Sequence, residues 1–394
     1  MKPENQANLE EVTKSRHIQD ATRFMLWGKS AGRCQFMGCN KPIWKNPVSQ
    51  EPVNIAQAAH IYAYSDQGPR GNEGIDPSKL NDLENLMLTC HACHKTIDSN
   101  KDGGRYTVEL LQSWKLNHES RVERVTGIDP GCHSFILHYG TDIGNVSSPF
   151  HFSKTAVALF DQRHPAEDRA IEIGTGKSEW TEKDPEFWRI AERELTSKYE
   201  RLVAPRLAEG EIDHLSVFGL TRMPLLIKLG TLLTDIHDVD VFQLHRNPKG
   251  WSWPEKDDHQ TIEPLVERPE SYNGTPALVV SLSATITNDR VTNLLGEDTN
   301  IWKLTLAEPN KECIRSRADL AVIYQTYLKL LDEIKAKHGH DATLSIFPSA
   351  PVSTMIQLGL ARQPKADMDW VIYDEVRELG GFIKALDIPN NLTK

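Results

Sequence analysis

Apolar residues in the front part of the chain recur with helical spacing at two places. Residues 11–27 carry a partial apolar face and are followed by two glycines, which predicts a helix that ends there. A second helix is predicted from Thr107, a preferred N-cap residue, to about residue 125. The proline-rich stretch 41–84 predicts loops, with one strand-like run at 53–61.

The pattern changes after a Gly/Pro-rich break at 127–131, so we place a domain boundary there, between domains 1–126 and 127–394. Beyond the break, apolar strand-like runs alternate with helical stretches, which predicts parallel sheets covered by helices, the doubly wound α/β class. About 265 residues is large for one such sheet, so we expect two Rossmann-like halves, about 132–260 and 270–394. We find no internal repeat that proves this division. Strands are expected at 133–139, 215–220, 239–244, 277–282, 343–347 and 370–373, and helices at 185–207, 224–236, 319–337 and 352–360.

Four of the six cysteines cluster as Cys34-x4-Cys39 and Cys90-x2-Cys93. Two short-spaced pairs are typical of a structural Zn²⁺ site, in which four soft ligands occupy tetrahedral corners. We therefore expect one structural zinc ion, without which the front domain unfolds. The other two, Cys132 and Cys313, are expected to be core residues.

The net charge of −10 for the whole chain argues against a nucleic-acid partner, but the charge is unevenly distributed along the sequence. Residues 1–125 hold 16 Lys and Arg against 15 Asp and Glu, which leaves 29 against 40 for the remainder. The front domain can therefore meet DNA, whereas the acidic remainder is a poor DNA-holding surface. No apolar run approaches the roughly 20 residues that span a bilayer, and the polar first residues lack a secretory signal, so we expect a cytoplasmic protein without a membrane partner.

Residues 58–61 (AAHI) and 85–94 (NLMLTCHACH) interleave with the two cysteine pairs. Over about residues 30–120 the chain resembles the zinc-bearing HNH, or ββα-metal, nuclease family. The resemblance implies an α+β domain with His60 as general base, Asn85 as the residue that holds His60 or supports the turn between the strands, and His94 as ligand of a catalytic divalent metal, Mg²⁺ or similar. These residue types suit phosphodiester hydrolysis, which needs a base for water and a cation for the developing charge.

The sequence departs from the family at Ala59, where many members carry an aspartate as a second metal ligand. The missing ligand could come from Asp98, Gln57 or His91, or from water. Asp98 follows His94 by one helical turn and is retained as a tentative ligand. Candidate phosphate contacts, which position DNA without reading its sequence, are Arg70, Lys95, Lys101 and Arg105.

The rear part resembles the SAVED domain, a sensor built from two CARF-like Rossmann halves. The resemblance rests on residues 241–246 (VFQLHR), 251–253 (WSW), 277–285 (ALVVSLSAT) and 344–351 (LSIFPSAP), followed by 357–359 (QLG). Open α/β sheets bind ligands beyond the carboxyl ends of strands, where helix N-termini present free N–H groups. Expected ligand-binding residues at such junctions are Thr221, Arg222, Ser283, Thr285, Ser349 and Pro351. Outside the junctions, Arg246 could meet phosphate, and Trp251 and Trp253 could either stack on nucleobases or pack in the core.

An HNH nuclease fused to a SAVED domain resembles effectors of bacterial CBASS anti-phage systems. That resemblance implies activation by a cyclic oligonucleotide, most often a cyclic dinucleotide, made by a partner nucleotidyltransferase. It also implies assembly into homodimers and then homotetramers that degrade double-stranded DNA in abortive infection. Two alternatives stay open at this point: a zinc-structured DNA-binding regulator without cleavage activity, and a constitutive restriction-type HNH nuclease.

Overall fold

The computed structural model describes residues 17–99, 104–140, 150–160, 162–174, 180–234, 237–254, 260–363 and 366–390. The chain divides into two compact units, Met1–Asp129 and Pro130–Lys394. Residues 11–16 of the first predicted helix lie outside the described part, as does the candidate phosphate contact Lys101.

The first unit is a short hairpin with a helix directly after its second strand. Strands β1 and β2 pair antiparallel, with His60 opposite Leu86. Residues 53–55 of the predicted strand pair instead with Ile43 and Trp44, so the strand-like run belongs to two separate ladders. The elements are α1 (Asp20–Ser30), β1 (Ala56–His60), β2 (Leu86–Cys90), α2 (His91–Ile97) and α3 (Val108–Thr126).

The expected caps of the first-unit helices are present. The Thr107 side chain accepts a hydrogen bond from the Leu110 backbone N–H at 3.3 Å, which satisfies one of the free donors at the start of α3. Helix α1 continues past Gly28 and ends where Ala31 and Gly32 take left-handed conformations.

The second unit holds two sheets with helices packed against them. Its elements in chain order are β3 (His133–Gly140), α4 (Phe152–Leu159), β4 (His164–Pro165), β5 (Ile171–Glu172), α5 (Pro185–Leu202), α6 (Ala204–Ala208), β6 (His214–Leu220), α7 (Met223–Leu233), β7 (Asp238–Phe242), β8 (His245–Arg246), β9 (Lys249–Gly250), β10 (Leu265–Glu267), β11 (Pro276–Ser281), α8 (Asp289–Leu295), β12 (Asn300–Thr305), α9 (Arg317–His338), β13 (Thr343–Ser349), α10 (Val352–Leu360), β14 (Asp369–Val376) and β15 (Gly381–Ile388).

The two sheets confirm the predicted doubly wound halves. The first has the order β4-β3-β6-β7, with β5 also beside β3, and all its pairs are parallel. The second has the order β10-β12-β11-β13-β14-β15. Its four central strands are parallel, but β10 and β15 add antiparallel edges that the alternation of elements does not predict. The predicted helix 185–207 is interrupted at Val203, because Pro205 lacks the N–H that would continue it.

A short, similar sequence segment occurs in both halves at the place where they pack together. The seven residues of β6 correspond to the seven of β13, and the same offset aligns Ile227-Lys228-Leu229-Gly230 with Ile356-Gln357-Leu358-Gly359. A methyl group on Gly230 would lie 2.8 Å from the Cα of Gly359. Helices α7 and α10 therefore cross with their backbones in contact, and one hydrophobic core extends over both sheets.

Candidate functional site

The four clustered cysteines meet in space next to the β1–β2 hairpin. Their sulfur atoms all lie within 4.8 Å of one another, and Cys39 and Cys90 Sγ are 4.0 Å apart. Tetrahedral zinc with bonds of about 2.3 Å places its sulfur ligands about 3.8 Å apart, so the donor set and its geometry fit this ion. The Cys90 backbone N–H also donates to Cys34 Sγ at 3.3 Å. Burial raises the pKa of the Cys34 thiol to about 12, a cost that a bound cation offsets by stabilising the thiolate.

His60, at the end of β1, is oriented by a residue that the sequence did not indicate. Its Nε2 lies 3.0 Å from Asn81 Oδ1, while the Asn81 amide nitrogen donates to the His17 carbonyl at 3.3 Å. Because the Asn81 nitrogen donates to His17, the amide atom that faces His60 is the oxygen, which can only accept. His60 Nε2 is therefore the protonated ring nitrogen. The Nδ1 lone pair is then the one available for proton abstraction.

Asn85 is buried just before β2 and supports the turn, the second of its two expected roles. Its Oδ1 accepts from the Tyr62 backbone N–H at 2.7 Å, and its Nδ2 donates to the carbonyls of Tyr62 and Leu80. These contacts pin the chain that leaves β1, so Asn85 acts on His60 through the backbone rather than through the imidazole.

The side chain of His94, on α2, lies near that of Asp98, the residue that directly follows the helix. His94 Nδ1 lies 3.7 Å from Asp98 Oδ2, and both side chains are about one-third exposed. A carboxylate behind one ring nitrogen is the usual arrangement for a metal-ligating histidine that binds through the other. Desolvation lowers the pKa of His94 below its ordinary value, although the nearby Asp98 carboxylate acts in the opposite direction. The lowered pKa favours the neutral imidazole, which is the form that binds a metal.

The other candidates near this site occupy different environments. Ala59 is buried in one apolar cluster with Met87 and Ile97 and offers no ligand atom, while Gln57 and His91 are exposed. Two of the candidate phosphate contacts are also exposed, namely Lys95 and Arg105. Arg70 is not available to phosphate, because its guanidinium is buried and bonded within the domain.

In the second unit, two of the expected junctions lead directly into α7 and α10. Arg222 is the N-cap residue of α7, and its guanidinium contacts Glu182 and lies 3.4 Å from Asp374 Oδ2. Burial raises the pKa of Asp374 to about 6, with Arg222 opposing that shift. Thr221, directly after β6, is buried.

The junction after β13 is held by a residue of the 241–246 motif that was not among the expected ligand-binding residues. Gln243, which follows β7, accepts hydrogen bonds at its Oε1 from the Ser353 hydroxyl at 2.7 Å and the Ser353 backbone N–H at 3.3 Å. Pro351 caps α10, and the Ser283 backbone N–H donates to the Ser349 carbonyl at 2.7 Å. The structure thus brings Ser283, Ser349 and Pro351 together. Thr285, two residues after Ser283, is exposed.

The two tryptophans lie in different environments. Trp251 is 2% exposed and stacks on Phe150 in a small core, so we remove it from the candidate ligand set. Trp253 packs edge-on to His245, with the Arg317 guanidinium 5.9 Å from its ring. Arg246 is exposed and lines a cleft with Lys311 and Arg315.

Comparison with known families assigns both units. Residues 34–101 match the HNH endonuclease family. Residues 195–388 match SAVED, the SMODS-associated and fused to various effectors sensor domain. The chain combines an HNH endonuclease domain with a SAVED sensor domain. His60, Asn85, His94 and all four clustered cysteines lie within the HNH match.

Solved structures similar to the HNH–SAVED chain include Cap4 SAVED/CARF-domain containing receptors. The Acinetobacter baumannii receptor with the cyclic trinucleotide 2′3′3′-cAAA is 12% identical with a TM-score of 0.41, over 81% of this chain and 63% of that one. The Moraxella osloensis receptor is 14% identical with a TM-score of 0.35, over 79% and 60%. The match covers less than two thirds of each receptor. None of the curated proteins matches the chain. In the described residues, no helix is both long and apolar enough to cross a membrane.

Proposed function

We propose that this chain is a metal-dependent DNA endonuclease that a cyclic oligonucleotide activates through the SAVED domain. The observation that carries the proposal is one chain that holds both an HNH constellation, built from His60 and His94 around the four clustered cysteines, and a sensor domain. We further propose that it acts in a CBASS-type anti-phage system, in the cytoplasm, with double-stranded DNA as substrate.

In the proposed reaction, His60 Nδ1 takes the proton of the attacking water, since Nε2 is bonded to Asn81. Asn85 fixes the backbone after β1 and so keeps the imidazole in place. His94, with Asp98 behind it, would hold the divalent cation, Mg²⁺ or similar. That cation, when bound, neutralises charge on the phosphate and the leaving oxygen.

For the sensor, we propose that the ligand phosphates meet the helix N-termini of α7 and α10; Arg222, which is paired with Glu182 and Asp374, lies at the start of α7 and is 31% exposed. Thr221, Ser283, Thr285, Ser349, Pro351, Trp253 and Arg246 remain candidate neighbours of the ligand. A cyclic dinucleotide from a partner nucleotidyltransferase is the expected activator, and assembly into homodimers and homotetramers is the expected response.

The test is plasmid cleavage with Mg²⁺ and a panel of cyclic dinucleotides and trinucleotides. We expect linearised and degraded DNA only with one class of ligand, and none with His60→Ala. His340→Ala removes an exposed imidazole of the SAVED domain and should leave cleavage unchanged. DNA that is bound but stays intact under every ligand would support the DNA-binding regulator instead. Sequence-specific cutting without ligand would support the restriction-type nuclease.

A further inference from the structure

Arg70 occupies an unusual position in the HNH domain. It lies in the loop between β1 and β2, has a left-handed backbone conformation with φ of 72°, and its side chain is only 3% exposed. Left-handed backbone is disfavoured for residues with a Cβ, and a buried guanidinium needs partners for its donors. Such a residue persists where its surroundings fix it strongly.

The guanidinium makes four hydrogen bonds, and they fall into two groups. Two reach the end of β1, from Nε to the Ile61 carbonyl at 2.7 Å and from an Nη to the His60 carbonyl at 3.1 Å. The others reach the end of α2, to the Ile97 carbonyl at 2.9 Å and to Asp98 Oδ1 at 3.0 Å. One rigid, planar group therefore joins the backbone that carries His60 to the carboxylate beside His94.

One group of contacts lies beside the proposed general base, and the other lies beside the proposed metal ligand. His60 is the proposed base, and its own carbonyl is one acceptor of the Arg70 fork. Asp98 uses Oδ1 for Arg70 and presents Oδ2 toward His94 Nδ1. A lysine has one nitrogen at the end of a flexible stem, so it cannot reproduce four bonds in this fixed geometry.

We infer that Arg70 is a positioning residue that sets the placement of the base strand relative to the metal-binding helix. It acts on His94 through Asp98 and on His60 through the backbone, and it touches neither DNA nor metal. The inference rests on the proposed nuclease function. Loss of the fork should lower kcat and metal affinity, with little effect on the KM for DNA.

The test compares Arg70→Lys, Arg70→Gly and Asp98→Asn in the full-length protein. Glycine suits the left-handed backbone, so Arg70→Gly removes the fork without adding backbone strain. Arg121→Lys serves as the matched control, because it changes an arginine on α3 whose guanidinium donates to Asn40 Oδ1 rather than to the His60 carbonyl or Asp98. Zinc content and thermal melting report whether each variant is folded.

We expect folded, zinc-loaded Arg70→Lys and Arg70→Gly proteins whose kcat falls ~100-fold, the effect of displacing a catalytic group by about 1 Å. Mn²⁺ binding, followed by electron paramagnetic resonance without DNA, should weaken roughly 10-fold or more in both variants and in Asp98→Asn. Millimolar guanidinium should restore part of the activity and Mn²⁺ affinity of Arg70→Gly. Arg121→Lys should match the wild type throughout.

The inference is overturned if both Arg70 variants keep wild-type kcat and Mn²⁺ affinity, or lose activity only in proportion to their folded, zinc-loaded fraction. The two proposals fail in distinguishable ways. A wild-type protein that cuts no DNA contradicts the nuclease function, while weaker Mn²⁺ binding in the Arg70 variants still supports the positioning role. Equal Mn²⁺ binding in all variants contradicts that role whatever the DNA result.

Discussion

Asp374 is a carboxylate on β14 of the SAVED domain whose side chain is 8% exposed, with Arg222 3.4 Å away. Desolvation raises its pKa from 3.8 to about 6 in spite of the guanidinium. The folded protein therefore holds this proton more tightly than the unfolded chain does. The resulting stabilisation is fully present below about pH 4 and is lost as the pH rises through about 6.

Asp374→Asn should remove this pH dependence. Asparagine keeps an oxygen for Arg222 but cannot ionise, so between pH 4 and pH 7 the variant should gain up to about 3 kcal/mol in free energy of unfolding relative to wild type. Urea unfolding of both proteins at the two pH values measures the change. A difference between the proteins that is the same at pH 4 and pH 7 would contradict the raised pKa.

Among single residues, the clustering of the four cysteines and the placement of His60, Asn85 and His94 within the HNH match could be predicted from the sequence. The two cysteine pairs and the interval from Asn85 to His94 are short spacings that survive in any compatible fold, and His60 is placed by its order relative to them. The contact of Asn81 with His60 and the buried hydrogen bonds of Arg70 were not predictable. Both depend on how the long loop between β1 and β2 folds back onto the hairpin. Trp251 was misplaced for a similar reason, since nothing local shows that Phe150 covers it.

At the scale of elements, the crossing of α7 and α10 joins the two halves of the SAVED domain. Gly230 and Gly359 sit at the crossing, and a Cβ on either would meet backbone atoms of the other helix. Backbone cannot move aside as the end of a flexible side chain can. The close approach therefore depends on glycine at both positions.

Gly230→Ala should consequently destabilise the SAVED domain. We expect a loss of about 1–3 kcal/mol from overpacking, which exceeds the small gain in helix propensity that alanine brings. Gly381→Ala, on β15, is the matched control and should change stability little, because an added Cβ there would meet no atom within 4 Å. Thermal unfolding of the two variants compares them, and equal melting temperatures would contradict the tight crossing.

The sequence predicted the elements of the SAVED domain with strong apolar patterns, namely β3, β6, β7, β11, β13, β14 and helices α5, α7, α9 and α10. It missed the shorter or more polar elements, including β12 and β15, which contain Lys303 and Lys384 and lie toward the edges of the second sheet. Polar residues are tolerated there, so the alternation weakens. The repeat of Ile227–Gly230 at 356–359 was visible in the sequence, but only an alignment anchored on β6 and β13 isolates it.

At the scale of the whole molecule, the two units have separate cores of very different size. The HNH domain relies on small apolar clusters, one of which contains Cys34 and Cys90, whereas one large cluster extends over both sheets of the SAVED domain. Small cores bury too little apolar surface to be stable without additional support. A zinc ion held by the four clustered cysteines would supply that support in the HNH domain.

Zinc removal should therefore unfold the HNH domain and leave the SAVED domain folded. A structural zinc ion contributes on the order of 10 kcal/mol, comparable with the whole stability of a domain. Calorimetry of the full chain should show two unfolding transitions, one for each domain. The HNH transition should disappear when a chelator is added to the wild type and also in Cys39→Ala. Restoring zinc should bring that transition back in the chelated wild type but not in Cys39→Ala. Cys132→Ala, a cysteine outside the cluster, should keep both transitions. A zinc-free wild-type protein with both transitions intact would show that the four cysteines are not what holds the HNH domain together.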